Sequence, residues 1–195
     1  MKAQTIFIQS ILIAVIVLTA CESQNPPTPT ALLLPTATAA PITPTPIKIG
    51  QAITFDGLQV SVEAYELTGR YTTQFNTVRE PPAGIKFLWV QVGLKNVTST
   101  LHAIPATEHF SALHEQTEFK TSYGYRQNFL DYTTLPDKIS PNQEIKAWLR
   151  FEIPAALDPS SLWFAYLPQS SRVNFLPPES PAWGDHPEYL WKLSP

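Results

Sequence analysis

Cysteine, methionine, glycine and basic residues are all scarce in this chain, and each scarcity narrows what it can do. Of 195 residues only Cys21 is a cysteine and only Met1 a methionine. No disulfide can form within the chain, and a metal or redox centre has few soft ligands to draw on. Seven glycines supply no glycine-rich phosphate loop, and no Ser-His-Asp or His-x-x-x-His element stands in a context that supports catalysis. Lys and Arg total 13 against 16 Asp and Glu, too few for the concentrated basic face that nucleic acid requires. No apolar run reaches the ~20 residues of a membrane-spanning helix.

What the chain has in excess is proline, 20 residues, partly clustered near the amino end. The stretch to Pro46 opens with Glu22-Ser23-Gln24-Asn25 and then runs through Pro, Thr and Ala, its polarity interrupted at Leu32-Leu33-Leu34, with neither helical nor strand period. Proline fixes φ and removes donors, so this stretch is expected to be a disordered, extended spacer of polyproline II character. At ~3.1 Å per residue it reaches on the order of 75 Å.

Before the spacer, Lys2 and the apolar run Ile6 to Leu18, interrupted by Gln9 and Ser10, have the layout of a signal peptide over residues 1–20. The run ends in Leu18-Thr19-Ala20-Cys21: a branched apolar residue, two small ones, and the sole cysteine. This box resembles the lipobox of bacterial lipoproteins. The resemblance implies cleavage before Cys21, a thioether-linked diacylglycerol on its sulfur and an acylated amine. Each buried methylene contributes about 0.8 kcal/mol, so two or three acyl chains hold a protein firmly where one holds it marginally. The competing readings are an uncleaved amino-terminal anchor and a secretory leader whose cysteine is incidental. With the leader and its Lys2 removed, 12 basic residues face 16 acidic ones, a net charge of −4.

Beyond Pro46 the pattern becomes short apolar–polar alternations, the mark of half-buried strands. Ile53 to Phe55 and Leu58, Val60, Val62 and Ala64 flank Asp56-Gly57, a strong hairpin signal. Ile85 to Asn96 carries Leu88, Val90, Val92 and Leu94 on one face, Phe87 and Trp89 on the other. Weaker strands are predicted at His109–Leu113 and Phe119–Tyr123. The clearest is Ile145–Ile153, stopped by Pro154, and Leu162–Tyr166 follows. About seven short strands without an amphipathic helix predict an all-β, immunoglobulin-like β-sandwich over residues 47–168, held together by apolar burial.

The segments Ile49-Gly50-Gln51 with Phe55-Asp56-Gly57-Leu58, then Phe87 to Asn96, then Ile139 to Gln143 with Leu149 to Pro154, occur in an order that resembles the DUF4352 family. These are small secreted or lipid-anchored Ig-like domains, near relatives of a mycobacterial immunoprotective antigen. The chain departs from their pattern at His114-Glu115-Gln116-Thr117, where an Asp-Gly turn is usual. The family implies no catalytic or binding residues. Residues 169–195 lie outside the resemblance. With Trp183, Tyr189 and Trp191, and strand character at Val173–Leu176 and Tyr189–Leu193, they are expected to pack on the sandwich.

Three candidate sites emerge. His102, His109 and His114 lie among Glu108, Glu115 and Glu118, but the five-residue step from His109 to His114 points them to opposite sides of a strand. Solvated edge residues are the preferred reading, and no metal is expected. Trp89 and Trp148 are placed by strand parity on outward faces. Either the aromatic extension covers them, the preferred reading, or they form a platform for a sugar or partner. The long Thr68–Gly84 connection carries Arg70, Tyr71, Phe75 and Arg79, which suit a binding loop or mere decoration. The Tyr123–Lys138 connection, with Tyr125 and Arg126, is predicted at the opposite end of the sandwich, so the two loops should not form one site.

These readings describe a non-catalytic protein without a cofactor, lipid-anchored on the extracytoplasmic face of the cell membrane, with an envelope protein or glycan as partner. Two rivals stand beside it: a carbohydrate-binding module, and an extracytoplasmic metal or redox accessory protein that would retain metal through purification.

Overall fold

The computed structural model describes residues 46–115, 117–169 and 189–194. The leader, Cys21, the Pro/Thr spacer before Pro46, Val173–Leu176 and Trp183 lie outside these residues. The described chain is all-β, with strands β1 (Ala52–Phe55), β2 (Leu58–Thr68), β3 (Tyr71–Thr72), β4 (Val78–Arg79), β5 (Ile85–Asn96) and β6 (His102–Ala103) in its first half. The second half adds β7 (Phe110–His114), β8 (Thr117–Ser122), β9 (Lys138–Ile139), β10 (Glu144–Pro154), β11 (Trp163–Tyr166) and β12 (Tyr189–Lys192). All seven runs read from the alternation form strands. The four two-residue strands, which form the ribbons β3–β4 and β6–β9, are too short to show a period.

Eight strands pair in the order β1-β2-β5-β10-β8-β7-β11-β12. Strand β8 is the hinge between the two layers. Its first residues pair with β7, from His114–Thr117 to Ser111–Lys120, whereas Thr121 and Ser122 pair with Phe151 and Arg150 of β10. The far edges also meet. Ile47, just ahead of β1, forms a parallel bridge with Trp191 of β12 and donates its N–H to the Leu190 carbonyl at 2.8 Å. The result is a sandwich closed almost into a barrel, which leaves little free sheet edge.

The interior is built by the alternation. Leu58, Val60 and Val62 of β2, Leu88 to Leu94 of β5 on even positions, and Ala147 to Ile153 of β10 on odd positions face Phe110, Phe164 and Trp191 from the other layer. Phe151 meets Phe164 edge-on at 6.1 Å across the two sheets. Fully burying a side chain of this size contributes roughly 1.5–3 kcal/mol, so apolar contact suffices to hold the sheets. Trp191 belongs to this main core, with no exposed surface, and its indole N–H donates to the Gln51 carbonyl at 3.1 Å.

Two turns show why local chemistry matters. Asp56 and Gly57 both take positive φ, 47° and 79°, the type I′ geometry that joins β1 to β2. A Cβ at Gly57 would also lie 2.2 Å from Thr98 Cγ2. In the departing turn, Glu115 takes φ 50° and the hairpin still closes at His114–Thr117. Close by Gly57, the buried Asn96 satisfies all its capacity: its amide donates to the Thr100 and Ile139 carbonyls at 2.7 and 3.1 Å, and its Oδ1 accepts from the Thr98 N–H and hydroxyl.

Strand β2 departs from simple alternation. Val62 opposes Val92, but Ala64 opposes Gln91, so Glu63 is an inserted bulge residue. The bulge turns Tyr65 and Leu67 inward and carries Ala64 to the outer face, contrary to its predicted place in line with Val62. It also sets Glu66 beside Trp89 on that outer face. The site described next depends on that placement.

Candidate functional site

On the outer face of β5 and β10 stand Phe87, Trp89, Trp148 and Arg150. A sheet face this aromatic demands cover, and two long connections supply it by folding back over the sheet. Thr73 and Arg126 form an antiparallel bridge, the Gln74 N–H donates to the Tyr125 carbonyl and the Gln127 N–H to the Thr72 carbonyl, each at 2.9 Å. The connections 69–84 and 123–137 are therefore one layer, not loops at opposite ends. Strand order alone misplaces them because neither projects from the end where its flanking strands stop.

Beneath that layer Trp89 has no exposed surface. Tyr71 and Phe129 meet it edge-on at 5.0 and 5.4 Å, and its indole N–H donates to the Thr68 hydroxyl at 3.3 Å. Phe129 in turn stacks on Trp148 at 4.1 Å, with 16° between the planes. Trp89 is thus no platform. Among the described residues the cover comes from Tyr71, Phe129 and Arg126, whereas Trp191, in the described part of the carboxy-terminal extension, fills the main core.

Two arginines seal the layer. Arg126 lies 4.0 Å over the Phe129 ring and 5.6 Å over Trp89, and makes two parallel hydrogen bonds to the Glu66 carboxylate, each at 2.9 Å. Arg150 lies 4.8 Å over Phe87 and spends its guanidinium on the Tyr71 hydroxyl at 2.8 Å, Ser122 Oγ at 3.0 Å and Glu152 at 3.1 Å. Gly124 passes directly over both: a Cβ there would lie 2.6 Å from Arg150 Cδ and 2.8 Å from Trp89 Cη2.

Beside this layer, where β8 crosses to β10, a small cleft of ≈ 80 Å³ opens to solvent. Trp148, Arg150, Tyr123, Thr107, Thr121 and Asp131 line it. Asp131 is buried and caps the short 3-10 turn Tyr132–Thr134, its Oδ1 accepting the Thr133 N–H at 2.9 Å and hydroxyl at 2.6 Å. A bridge to Trp148, whose N–H donates to the Leu130 carbonyl at 2.8 Å, fixes Asp131 against β10. Among the described residues no hydrogen bond reaches Asp131 Oδ2, the Trp148 indole N–H, or the hydroxyls of Thr107 and Thr121. At ≈ 80 Å³ the cleft is well below the ~300–1,000 Å³ of sites that enclose a whole small ligand, so it seats part of a ligand at its mouth rather than engulfing one.

No protein-family model matches the sequence, and no curated protein does. Solved structures do resemble it. The yjhA protein of Bacillus subtilis aligns with a TM-score of 0.52 at 13% identity, covering 75% of this chain and 99% of that one. What the two share is the fold. An uncharacterized β-sandwich protein from Clostridium difficile aligns at TM-score 0.46 and 12% identity, over 77% of this chain and 95% of that one. The secreted protein MPT63 of Mycobacterium tuberculosis aligns at TM-score 0.41 and 10% identity, over 77% and 99%.

Of the residues singled out in the sequence, Tyr71 is buried in the aromatic layer, while Arg70 and Arg79 are exposed on the covering ribbon, Arg79 opposite Tyr71. Trp148 alone both belongs to the layer and lines the cleft. The histidines are dispersed: His102 faces the Asp56 and Ala103 carbonyls, and His109 the Leu167 carbonyl. Among the described residues no three His, Cys, Asp or Glu side chains converge. Sequence reasoning missed Thr107, Thr121, Asp131 and Arg150. The one available signal was Asp131-Tyr132-Thr133, a side-chain cap pattern that marks a fixed turn.

Proposed function

We propose that this chain is a lipoprotein of the bacterial cell envelope, cleaved before Cys21 and held at the extracytoplasmic face by acyl chains on it. It displays its sandwich as a non-catalytic binding module. The observation that carries the reading is Leu18-Thr19-Ala20-Cys21 directly after the apolar run Ile6 to Leu18, with no other cysteine in the chain. Ile47, directly after the Pro/Thr-rich stretch, is already paired with Trp191 of β12, which fits a stretch that leads straight into the domain.

Within that class we assign the domain to the DUF4352-type Ig-like domains. The two motifs that carry the resemblance, Phe87 to Asn96 and Leu149 to Pro154, lie on β5 and β10, which pair side by side. The test of the anchor is detergent-phase partition with metabolic palmitate labelling. The wild-type chain is expected in the detergent phase and labelled, the Cys21→Ala chain in the aqueous phase and unlabelled. A Cys21→Ala chain that still partitions with detergent and takes up palmitate contradicts the reading.

A further inference from the structure

We propose that the cleft between Trp148, Tyr123 and Asp131 binds a neutral polyhydroxylated ligand, a pyranose unit of an oligosaccharide. The inference rests on the domain being an extracytoplasmic binding module and names the ligand class of its site. The argument begins with unused hydrogen-bonding capacity. Asp131 is 8% exposed, yet only its Oδ1 is engaged, and its Oδ2 makes no hydrogen bond among the described residues. Asp131 lines a cleft open to solvent, so water can solvate this oxygen in the free protein and a ligand hydroxyl can take that water's place. The same cleft is lined by Trp148, whose indole N–H only donates, and by Thr107 and Thr121, whose hydroxyls do both. Vicinal hydroxyls, each a donor and an acceptor, are the groups that match such a mixed set.

Charge excludes the other ligand classes. The Asp131 carboxylate opposes a phosphate or carboxylate ligand. Three of the five Arg150 N–H groups are already given to Ser122, Tyr71 and Glu152, and the Glu152 carboxylate offsets its charge, so little is left for an anion. A hard cation takes six or more oxygen ligands, commonly several carboxylates, whereas among the described residues Asp131 is the only carboxylate lining the cleft, and the Arg150 guanidinium borders it. What remains is a neutral ligand. The cleft supplies an apolar contact for its C–H face as well: Tyr123 is 71% exposed at the rim, and an aromatic face carries the negative quadrupole that such C–H groups favour. Trp148 cannot swing away, because Phe129 is stacked on its ring.

The experiment titrates the full-length protein, purified in detergent, with neutral tetrasaccharides of the cello, malto and chito series, with inorganic phosphate and calcium as controls. Tryptophan fluorescence and calorimetry are read together. At least one tetrasaccharide is expected to bind and to perturb tryptophan emission. Asp131→Asn keeps the cap acceptor but replaces Oδ2 with a donor, and should weaken binding roughly tenfold or more. Trp148→Phe keeps the stack on Phe129 and should weaken binding while abolishing the emission change. If Asp131→Asn lowers the unfolding midpoint, Tyr123→Ala and Thr121→Val at the rim serve instead, with the same expected loss. The proposal is overturned by no tetrasaccharide binding up to about 10 mM, by binding that these variants leave unchanged, or by phosphate or calcium binding in place of sugar. The readout does not involve the anchor: a Cys21→Ala chain should bind equally well, so failure here and failure of the lipoprotein reading are separable.

Discussion

Arg126 and Glu66, sixty residues apart in sequence, are joined by two parallel hydrogen bonds of 2.9 Å across the outer face of the sandwich. The contact exists because the Glu63 bulge turns Glu66 outward, and because the 123–137 connection folds back over β2 and β5. It fastens the aromatic layer at its edge. Arg126→Ala is expected to lower stability by about 1–2 kcal/mol through the lost pair and the lost stacking on Phe129. Arg126→Lys should recover little of this, since an ammonium supplies neither the fork nor the planar stack. Denaturant melts give the energies. A red shift of tryptophan emission in Arg126→Ala should report water reaching Trp89, and an unshifted spectrum would contradict the sealing role.

Trp89 and Trp148 should behave differently when truncated. Trp89 has no exposed surface and loses contacts with Tyr71, Phe129 and Thr68, so Trp89→Ala is expected to cost about 3–5 kcal/mol. Trp148 is half-buried and should cost less. Equal small costs at both positions, measured by urea unfolding, would mean that the covering layer does not form.

Asn96 is a second buried polar anchor, placed where β5 ends. Asn96→Ala leaves the Ile139 carbonyl and the Thr98 donors without their partner, for an expected loss of about 2–3 kcal/mol. Asn96→Asp should be at least as harmful, because it removes both donors and buries a charge. Thermal melts of the two variants check this, and an Asp variant as stable as wild type would contradict it.

The response to pH has opposite signs at the two ends of the scale. Burial, with the negative charges of Tyr189 and Asp56 adding to it, pushes the Tyr166 phenol up to about 12, and burial pushes Tyr132 well above the ordinary range. A folded pKa above the unfolded value of about 10 gives stability that is complete below pH ~10 and is lost as pH rises from there toward 12. Phenolate absorbance should therefore show these tyrosines ionising late or together with unfolding. At Glu63 burial raises the pKa, but hydrogen bonds from Lys146 and Ser61, with the charge of Lys146, outweigh it and hold the carboxyl low. That contribution is present above an unfolded value of about 4.3 and disappears as pH falls through the folded one. Acid titration of stability should be shallower in Glu63→Gln than in wild type.

These features differ in how far the sequence alone announces them. The period-two runs at β5 and β10 and the Asp56-Gly57 joint announce the sandwich, because burial on one face and positive φ leave local marks. The Glu63 bulge leaves none: Leu58-Gln59-Val60-Ser61-Val62 continues into Glu63-Ala64 without a break in composition, and only pairing with β5 shows the slip. The pairing of Thr73 with Arg126 is likewise invisible, since it is an isolated bridge between residues more than fifty positions apart. Parity places Trp89 outward correctly, but outward is not exposed when another layer lies above. The Asp131 cleft needs four separate segments, around Thr107, Thr121, Asp131 and Trp148, to be brought together, and no spacing rule captures that.

The central claim, that this sandwich is held at a membrane through its only cysteine, is tested most directly by mass spectrometry of the amino-terminal peptide of the mature protein isolated from its native host. The account predicts a peptide that begins at Cys21 and carries the mass of a diacylglyceryl group. A peptide that retains the residues before Cys21, or one that begins there with an unmodified thiol, would contradict it.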